Sequence, residues 1–259
     1  MRGRVAPAGT TLKLKPSSIK NRLKHIFSTL EWNRFRHIPI EDQLAKIRND
    51  WDQRAIENAP HYIATANQEW SAAEFFASGE ETVKGHILND MVNICQGRDP
   101  RTMRILEVGC GAGRVTKALA SVFGEVHGVD ISAEMVRLAQ QALRPCGNAF
   151  VYQNNGADLS VVPTNQFDFA FSYLVFQHIP SRAIVHNYVR EVHRLLRPGA
   201  LFKFQVQGAK LRARPDDTWV GVAFSDKQIM TMAAQYGFEA RHRHGAGTQE
   251  FWIWYFKRP

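Results

Sequence analysis

The spacing of apolar positions changes character along this chain, and the change divides it. Residues 1–16, with Pro7 and Pro16 and no sustained period, read as irregular. From Ser17 onward, Ile19, Leu23, Ile26, Phe27 and Leu30 recur at helical spacing with Lys20, Arg22 and Lys24 between them. That spacing predicts a short basic amphipathic helix. Residues 41–97 keep a helical character and carry scattered aromatics: Trp51, Tyr62, Trp70, Phe75 and Phe76. From Glu80 to Gln96 one helix is expected, with Val83, Ile87, Met91 and Ile94 on one side and Gly97 as its stop.

Beyond residue 103 short apolar runs alternate with helical ones. Strands are expected at Arg104–Val108, Glu125–Val129, Ala149–Tyr152, Phe167–Ser172 and Ala200–Val206, and two terminal ones at about 238–243 and 251–257. Helices are expected from Ser132 to Leu143, with Ser132 as N-cap, from Ser181 to Leu196, and from Asp226 to Tyr236. In the second of these, Ile184, Val185, Tyr188, Val189, Val192 and Leu196 form one stripe, and Arg197-Pro198-Gly199 reads as its stop. Strands that alternate with helices imply a mostly parallel sheet covered on both faces.

Composition narrows the picture. At 259 residues the chain can hold one sizeable core and an appendage. No uninterrupted apolar run reaches the roughly 18 residues of a membrane span. Cys95, Cys110 and Cys146 are too widely spaced for a zinc site or a disulfide framework, so a reducing cytoplasm is the expected setting. Residues 1–48 hold 11 of the 33 Lys and Arg but only 3 of the 24 Asp and Glu, so nearly all of the +9 net charge lies there. The body is close to neutral, which argues against specific nucleic-acid binding. The basic helix at 17–30 has two readings: packing on the body or a twin subunit, or attachment to an anionic membrane surface or a partner.

The stretch ILEVGCGAGRVTKALA, residues 105–120, is the most informative. A strand ends at Val108, glycines alternate at 109, 111 and 113, and an apolar-periodic helix follows. Glycines at such a turn let a ligand approach the backbone. A dinucleotide fingerprint would need a third glycine at position 114, where Arg114 stands. With Glu107 two residues before the first glycine, the pattern suits a nucleoside with an amino-acid tail rather than a pyrophosphate. In HGVDIS, residues 127–132, Asp130 ends the next strand, 21 residues after Gly109. A carboxylate there can accept hydrogen bonds from both ribose hydroxyls.

With EVGCGAG at 107–113, Asp130, FDFAFSYLVFQHIP at 167–180 and EVHRLLRPGALFKF at 191–204, the chain resembles the class I S-adenosylmethionine-dependent methyltransferases over roughly residues 80–259. The resemblance implies an α/β fold: a doubly wound, mostly parallel seven-strand Rossmann-like sheet with an N-terminal helical extension. It also implies three parts: a basic arm at 1–40, a helical cap or lid at 41–79 and a cofactor-binding domain at 80–259. S-adenosyl-L-methionine is the implied cofactor. The implied roles put Glu107, Gly109, Cys110, Gly111 and Gly113 around its methionine moiety, and Asp130 with Ile131 on the ribose and adenine. Gly156 and Ala157 are expected near adenine, with the Ala157 N–H as a contact. The family's acid at this site is displaced by two positions, to Asp158. Ser172 and Tyr173 are expected where cofactor and acceptor meet.

A hydroxyl or amine acceptor needs a base to take its proton. His178, just beyond the fourth strand, is the best-placed imidazole, with Tyr173 as a second catalytic candidate; capping of the following helix is the plain alternative for His178. Tyr62, Trp70, Trp219 and Phe224 are candidates for an acceptor pocket, with core packing the equal alternative. SYLVFQ lacks the proline pair that accompanies nucleobase amino-methylation, and Pro145-Cys146 lies in a turn before the third strand, away from the site of cytosine C5 chemistry. No grouping of carboxylates and histidines points to a metal. The expected function is methyl transfer to the oxygen or nitrogen of a small molecule or of a glycan or lipid end group. The other readings are a non-catalytic cofactor-binding scaffold docked through its basic helix, and an NAD-dependent oxidoreductase.

Overall fold

Strands covered on both faces should be buried continuously rather than on alternate residues, and the central strands are. β1 (Arg104–Val108) is buried from its second residue, and β4 (Phe167–Ser172) along its whole length. The computed structural model describes residues 39–163, 166–209, 211 and 218–259. The basic helix expected at 17–30 lies outside the described residues.

With β2 (Glu125–Asp130), β3 (Ala149–Gln153), β5 (Leu196–Val206), β6 (Phe238–His244) and β7 (Phe251–Lys257), the strands form one sheet in the order β3-β2-β1-β4-β5-β7-β6. β1 to β5 pair in parallel; β7 runs antiparallel to both β5 and β6. Chain order reverses between β1 and β4, which opens a crevice at their carboxyl ends. Leu106 and Val108 pack into one core with Phe202, Phe204 and Val189. Ile105 faces the other, with Phe169, Phe171, Val115 and Leu119. The expected seven-strand, mostly parallel architecture is the one observed.

Before the sheet lie α1 (Ile40–Ile63), kinked at Asn58, and α2 (Ala72–His86). The single helix expected from Glu80 to Gln96 is corrected. α2 begins earlier, at a capping box between Ser71 and Glu74, and breaks at Ile87. A 3-10 turn, Leu88–Asp90, then leads into α3 (Met91–Cys95). The break has a cause on β5 and β7. The Asp90 carboxylate accepts from Lys203 Nζ at 2.7 Å and Trp254 Nε1 at 2.5 Å, while its N–H bonds to Ile87 O at 2.9 Å. Gln96, in left-handed conformation, caps α3 in place of Gly97.

α4 (Arg114–Ala120), α5 (Ala133–Ala142), α6 (Arg182–Leu195) and α7 (Asp226–Gln235) follow the strands as expected, to within a residue or so at their ends. Arg197-Pro198-Gly199, expected as a stop between helix and strand, is instead part of β5. Leu196 already pairs with Phe167, and an irregularity separates that pair from Phe169↔Leu201. Arg197 Nε donates to Asp168 Oδ1 at 2.8 Å and holds the bulged strand in place.

Candidate active site

The crevice between β1 and β4 is a cavity of about 920 Å³, counting its open mouth. The turn after β1 forms its floor. Gly109 and Cys110 N–H both donate to Val129 O, at 2.8 and 3.0 Å, which bends the chain sharply over β2. Gly109 has φ +79°, and a Cβ there would lie 2.2 Å from Val175 Cγ2. Only a bare backbone fits.

Asp130, at the end of β2, closes one side. Its Oδ2 accepts from Gly111 N–H and its Oδ1 from Ser132 N–H, each at 2.9 Å. A carboxylate offers about four lone-pair positions. Gly111 and Ser132 occupy two of these and Ile131 N–H also acts on the carboxylate, which still lines the cavity where a ligand would lie. Burial pushes the Asp130 carboxyl up to about 6, against the pull of the backbone N–H groups of Ser132, Gly111 and Ile131. Burial likewise pushes Glu107 up to about 7, although Thr116 Oγ1 donates to it at 2.6 Å and Arg114 stands nearby.

Of the residues expected to hold the cofactor, Glu107, Gly109, Cys110, Gly111, Asp130 and Ile131 meet around this cavity. Gly113, Gly156, Ala157 and Ser172 are not in its wall. Ser172 is fully buried, and its Oγ donates to Val108 O at 2.9 Å, tying β4 to β1. The Ala157 N–H, expected at adenine, is spent on Asn155 Oδ1 at 2.7 Å. Asp158 turns to Ser160 and Asn155. The wall beyond Ile131 is built instead from Leu44 and Ile47 of α1, with Ile184 and Tyr188 of α6. Cys110 packs its side chain among Val136, Ala139, Leu143 and Val151, and burial pushes its thiol upward, so it is no nucleophile.

α1 roofs the cavity. Ser132 Oγ donates to Asp52 Oδ1 at 2.6 Å, anchoring the helix over the start of α5. Arg54 Nη1 donates to Thr218 Oγ1, and Thr218 Oγ1 to Asp50 Oδ2, each at 2.9 Å, which fixes Trp219 beside it. Trp51 meets His178 edge-on, with ring centres 5.3 Å apart.

His178 is buried, in a 3-10 turn after β4. Its Nδ1 contacts the Trp219 carbonyl, which can only accept, so the neutral ring carries its proton on Nδ1. Nε2 then presents a lone pair, and Gln177 Nε2 donates to it at 3.1 Å. Gln177 is oriented in turn by Gln205 Nε2, which donates to Gln177 Oε1 at 2.7 Å. Tyr62, Ile63, Leu174 and His178 line both the main cavity and a second pocket of about 660 Å³, counting its mouth. Gln177, Gln207, Gln249 and Trp219 are among the other residues that line that pocket, with Thr65, Leu211 and Val220. Among its described lining residues none is Asp, Glu, Lys or Arg. Trp70 and Phe224, expected there, are elsewhere: Trp70 packs on Phe75, and Phe224 is fully buried in the core.

Tyr173 lines the cavity with its ring stacked on Trp252 at 5.2 Å. Burial and Glu250 raise its hydroxyl pKa, so it can donate a hydrogen bond but is a poor base. Sequence reasoning missed Arg114 as a site residue; it is buried in the cavity wall, and its position was read only as a departure from the dinucleotide turn. It also missed Gln177 and Gln205, whose roles depend on side-chain geometry. Among the described residues no cluster of His, Cys, Asp and Glu could hold a metal ion.

Residues 106–204 match the profile of a family described as a methyltransferase domain. A ubiquinone biosynthesis O-methyltransferase of Methylococcus capsulatus is 29% identical over 111 residues, 42% of this chain and 46% of that protein. A malonyl-[acyl-carrier protein] O-methyltransferase of Enterobacter lignolyticus is 32% identical over 111 residues, 42% of this chain and 41% of that protein. The matched stretch thus spans less than half the length of these curated relatives. Among solved structures, magnesium protoporphyrin IX methyltransferase of Synechocystis with bound S-adenosylmethionine has TM-score 0.59 at 16% identity, covering 83% of this chain and 97% of that one. Phosphoethanolamine N-methyltransferase 1 of Haemonchus contortus has TM-score 0.63 at 15% identity, covering 86% and 51%. These structural likenesses show the fold. Residues 106–204, which hold the glycine turn and the acid at the end of β2 in register, are thus a methyltransferase domain.

Proposed function

We propose that this protein transfers a methyl group from S-adenosylmethionine to a hydroxyl of a small, uncharged acceptor. One observation carries the reading: a cavity floored by a bare glycine turn and flanked by Asp130 meets, at His178, a second pocket lined by neutral amides and aromatic rings. The residues fit the cofactor. Asp130 keeps acceptor positions for a ribose diol, Gly109 leaves the backbone open, and Ile131, Leu44 and Ile184 offer apolar surface for a purine.

S-adenosylmethionine, when bound, supplies an electrophilic sulfonium methyl. The protein's part is positioning, dryness and proton handling. Trp51 and Tyr62 of α1 cover the junction of the two pockets, which excludes water and limits the poses open to an acceptor. The Nδ1–H of His178 is held by the Trp219 carbonyl, so Nε2 is the atom that takes the acceptor's proton. Gln177, now donating to that nitrogen, is the group an acceptor hydroxyl would displace. Its amide can then bind the acceptor oxygen.

The relatives named as O-methyltransferases support an oxygen acceptor, and the amides of Gln177, Gln207 and Gln249 beside the Tyr62 and Trp219 rings support a neutral one. The test is release of S-adenosylhomocysteine from S-adenosylmethionine across a panel of uncharged phenols and alcohols beside charged amines and carboxylates. Turnover confined to uncharged hydroxyl compounds is the expected result. Turnover of charged amines alone would overturn the acceptor assignment, and failure to bind S-adenosylmethionine would overturn the function.

A further inference from the structure

At the amino ends of β1, β2, β4 and β5, away from the crevice at the carboxyl ends, lies a groove of about 1120 Å³, counting its open mouth. Arg98, Arg101, Arg104 and Arg197 line it with Asp168 and Glu125, four guanidiniums to two carboxylates. Both carboxylates are spent on the protein. Asp168 is buried; its Oδ2 accepts from Arg104 N–H at 2.8 Å, and its Oδ1 takes Arg197 Nε at 2.8 Å and Arg98 Nη1 together. Glu125 accepts from Arg104 Nε at 2.9 Å and contacts His127 Nε2.

Two guanidiniums on one carboxylate oxygen leave a positive charge unbalanced, and burial already holds Arg197 below the ordinary guanidinium range. Their donors are not exhausted. Among the described residues Arg98 engages only through Nη1, and Arg197 through Nε and Nη1, the latter to Pro198 O. The Arg101 side chain, exposed on the 3-10 turn Pro100–Thr102, makes no hydrogen bond or ion pair among the described residues. Guanidiniums that reach in from three separate segments match the divergent oxygens of a tetrahedral anion better than the two of a planar carboxylate. We propose that this groove is a phosphate-binding site, in which Arg98, Arg101 and Arg197 hold the phosphate group of a small compound. A single recess on a nearly neutral body, rather than a basic stripe, fits such a compound and not a nucleic acid. Its size suits a phosphate with an organic group attached better than the bare ion.

The test is calorimetric titration of the full chain with inorganic pyrophosphate in about 0.15 M salt, beside co-sedimentation with phosphatidylcholine vesicles containing phosphatidic acid. Wild type is compared with Arg101→Gln, Arg98→Gln and Arg241→Gln, the last an exposed arginine on β6. Arg101→Gln and Arg98→Gln should each weaken pyrophosphate binding about 3- to 10-fold, and Arg241→Gln should leave it unchanged. Affinity for S-adenosylhomocysteine should be the same in all four proteins, which separates this site from the crevice. Arg101 has no bond to the described fold, so its variant should melt like wild type and report binding alone. Pyrophosphate binding supports a free phosphate compound as the ligand; binding to the vesicles alone, lost in Arg101→Gln, supports a lipid headgroup on the same residues. Wild type that binds neither, or binding that Arg241→Gln weakens as much as Arg101→Gln does, would overturn the proposal.

Discussion

Replacing Asp130 by Ala should separate the two tasks of its carboxylate. One is internal: Gly111 N–H and Ser132 N–H, each at 2.9 Å, lose their acceptor. Leaving a buried donor unpaired costs roughly 1–3 kcal/mol. Some of that is offset because a carboxyl whose burial raises it to about 6 is removed. The net stability change is therefore modest, and a thermal melt measures it. The other task is external. Two ribose hydroxyls donating to an ionised carboxylate contribute roughly 2–4 kcal/mol together, so S-adenosylhomocysteine affinity should fall about 30- to 1000-fold. The assay is calorimetric titration of wild type and variant with S-adenosylhomocysteine and with its 2′-deoxy analogue. Loss of the 2′-hydroxyl should weaken wild type by about tenfold and leave Asp130→Ala unaffected. The pH dependence has a definite sign. The ionised form accepts both hydroxyls, so affinity holds above about pH 7 and declines as pH falls through about 6, where the free protein's Asp130 takes up its proton. The limb through about 6 should be missing from the variant, which keeps any dependence set by Glu107 at about 7. An Asp130→Ala protein that melts like wild type and binds S-adenosylhomocysteine within threefold of it would refute the reasoning.

Other outcomes follow from the same geometry. Gly109→Ala places a methyl 2.2 Å from Val175 Cγ2 at φ +79°, so melting and cofactor affinity should both fall; adding Val175→Ala should recover part of each loss, and no recovery would contradict the steric cause. His178→Asn keeps a donor for the Trp219 carbonyl but deletes Nε2. Turnover should drop about 10²- to 10⁴-fold with S-adenosylhomocysteine affinity unchanged, and full turnover would remove His178 as the base. Asp90→Ala strands the buried Lys203 ammonium and should cost about 3–5 kcal/mol in urea unfolding. Lys203→Met, which removes the buried charge itself, should cost clearly less, and the reverse order would be contrary to this account.

Much of this architecture was legible in the sequence because two local signals coincide. The short, largely apolar runs RILEV and FDFAFS read as strands of a covered sheet, and the glycine turn after the first fixed where the crevice would open. Asp130 was legible for the same reason: strand end and glycine turn stand at a spacing the fold dictates. What escaped was decided by tertiary contact. The helix break at Ile87 follows from Lys203 and Trp254, more than 100 residues away, reaching Asp90. Nothing local at Arg197-Pro198-Gly199 shows that it joins β5, because the tie is to Asp168 on the neighbouring strand. Ala157 offered an N–H in the right place along the chain, but the Asn155 side chain claims it. The second pocket needed the geometry of Gln177 and Gln205, and no period or motif marks a glutamine as one that orients an imidazole. Arg114 was visible as an exception to a motif, and its place in the cavity wall and its bonds to Ser78 and Thr82 needed the tertiary structure.

The account stands on a nucleoside lying over the glycine turn between β1 and β4. A crystal structure of the full chain grown with S-adenosylhomocysteine tests this most directly. Density through the main cavity, with both ribose hydroxyls in hydrogen-bond range of the Asp130 carboxylate, is the result expected. Ligand bound elsewhere, or a cavity still empty at saturating ligand, would contradict it.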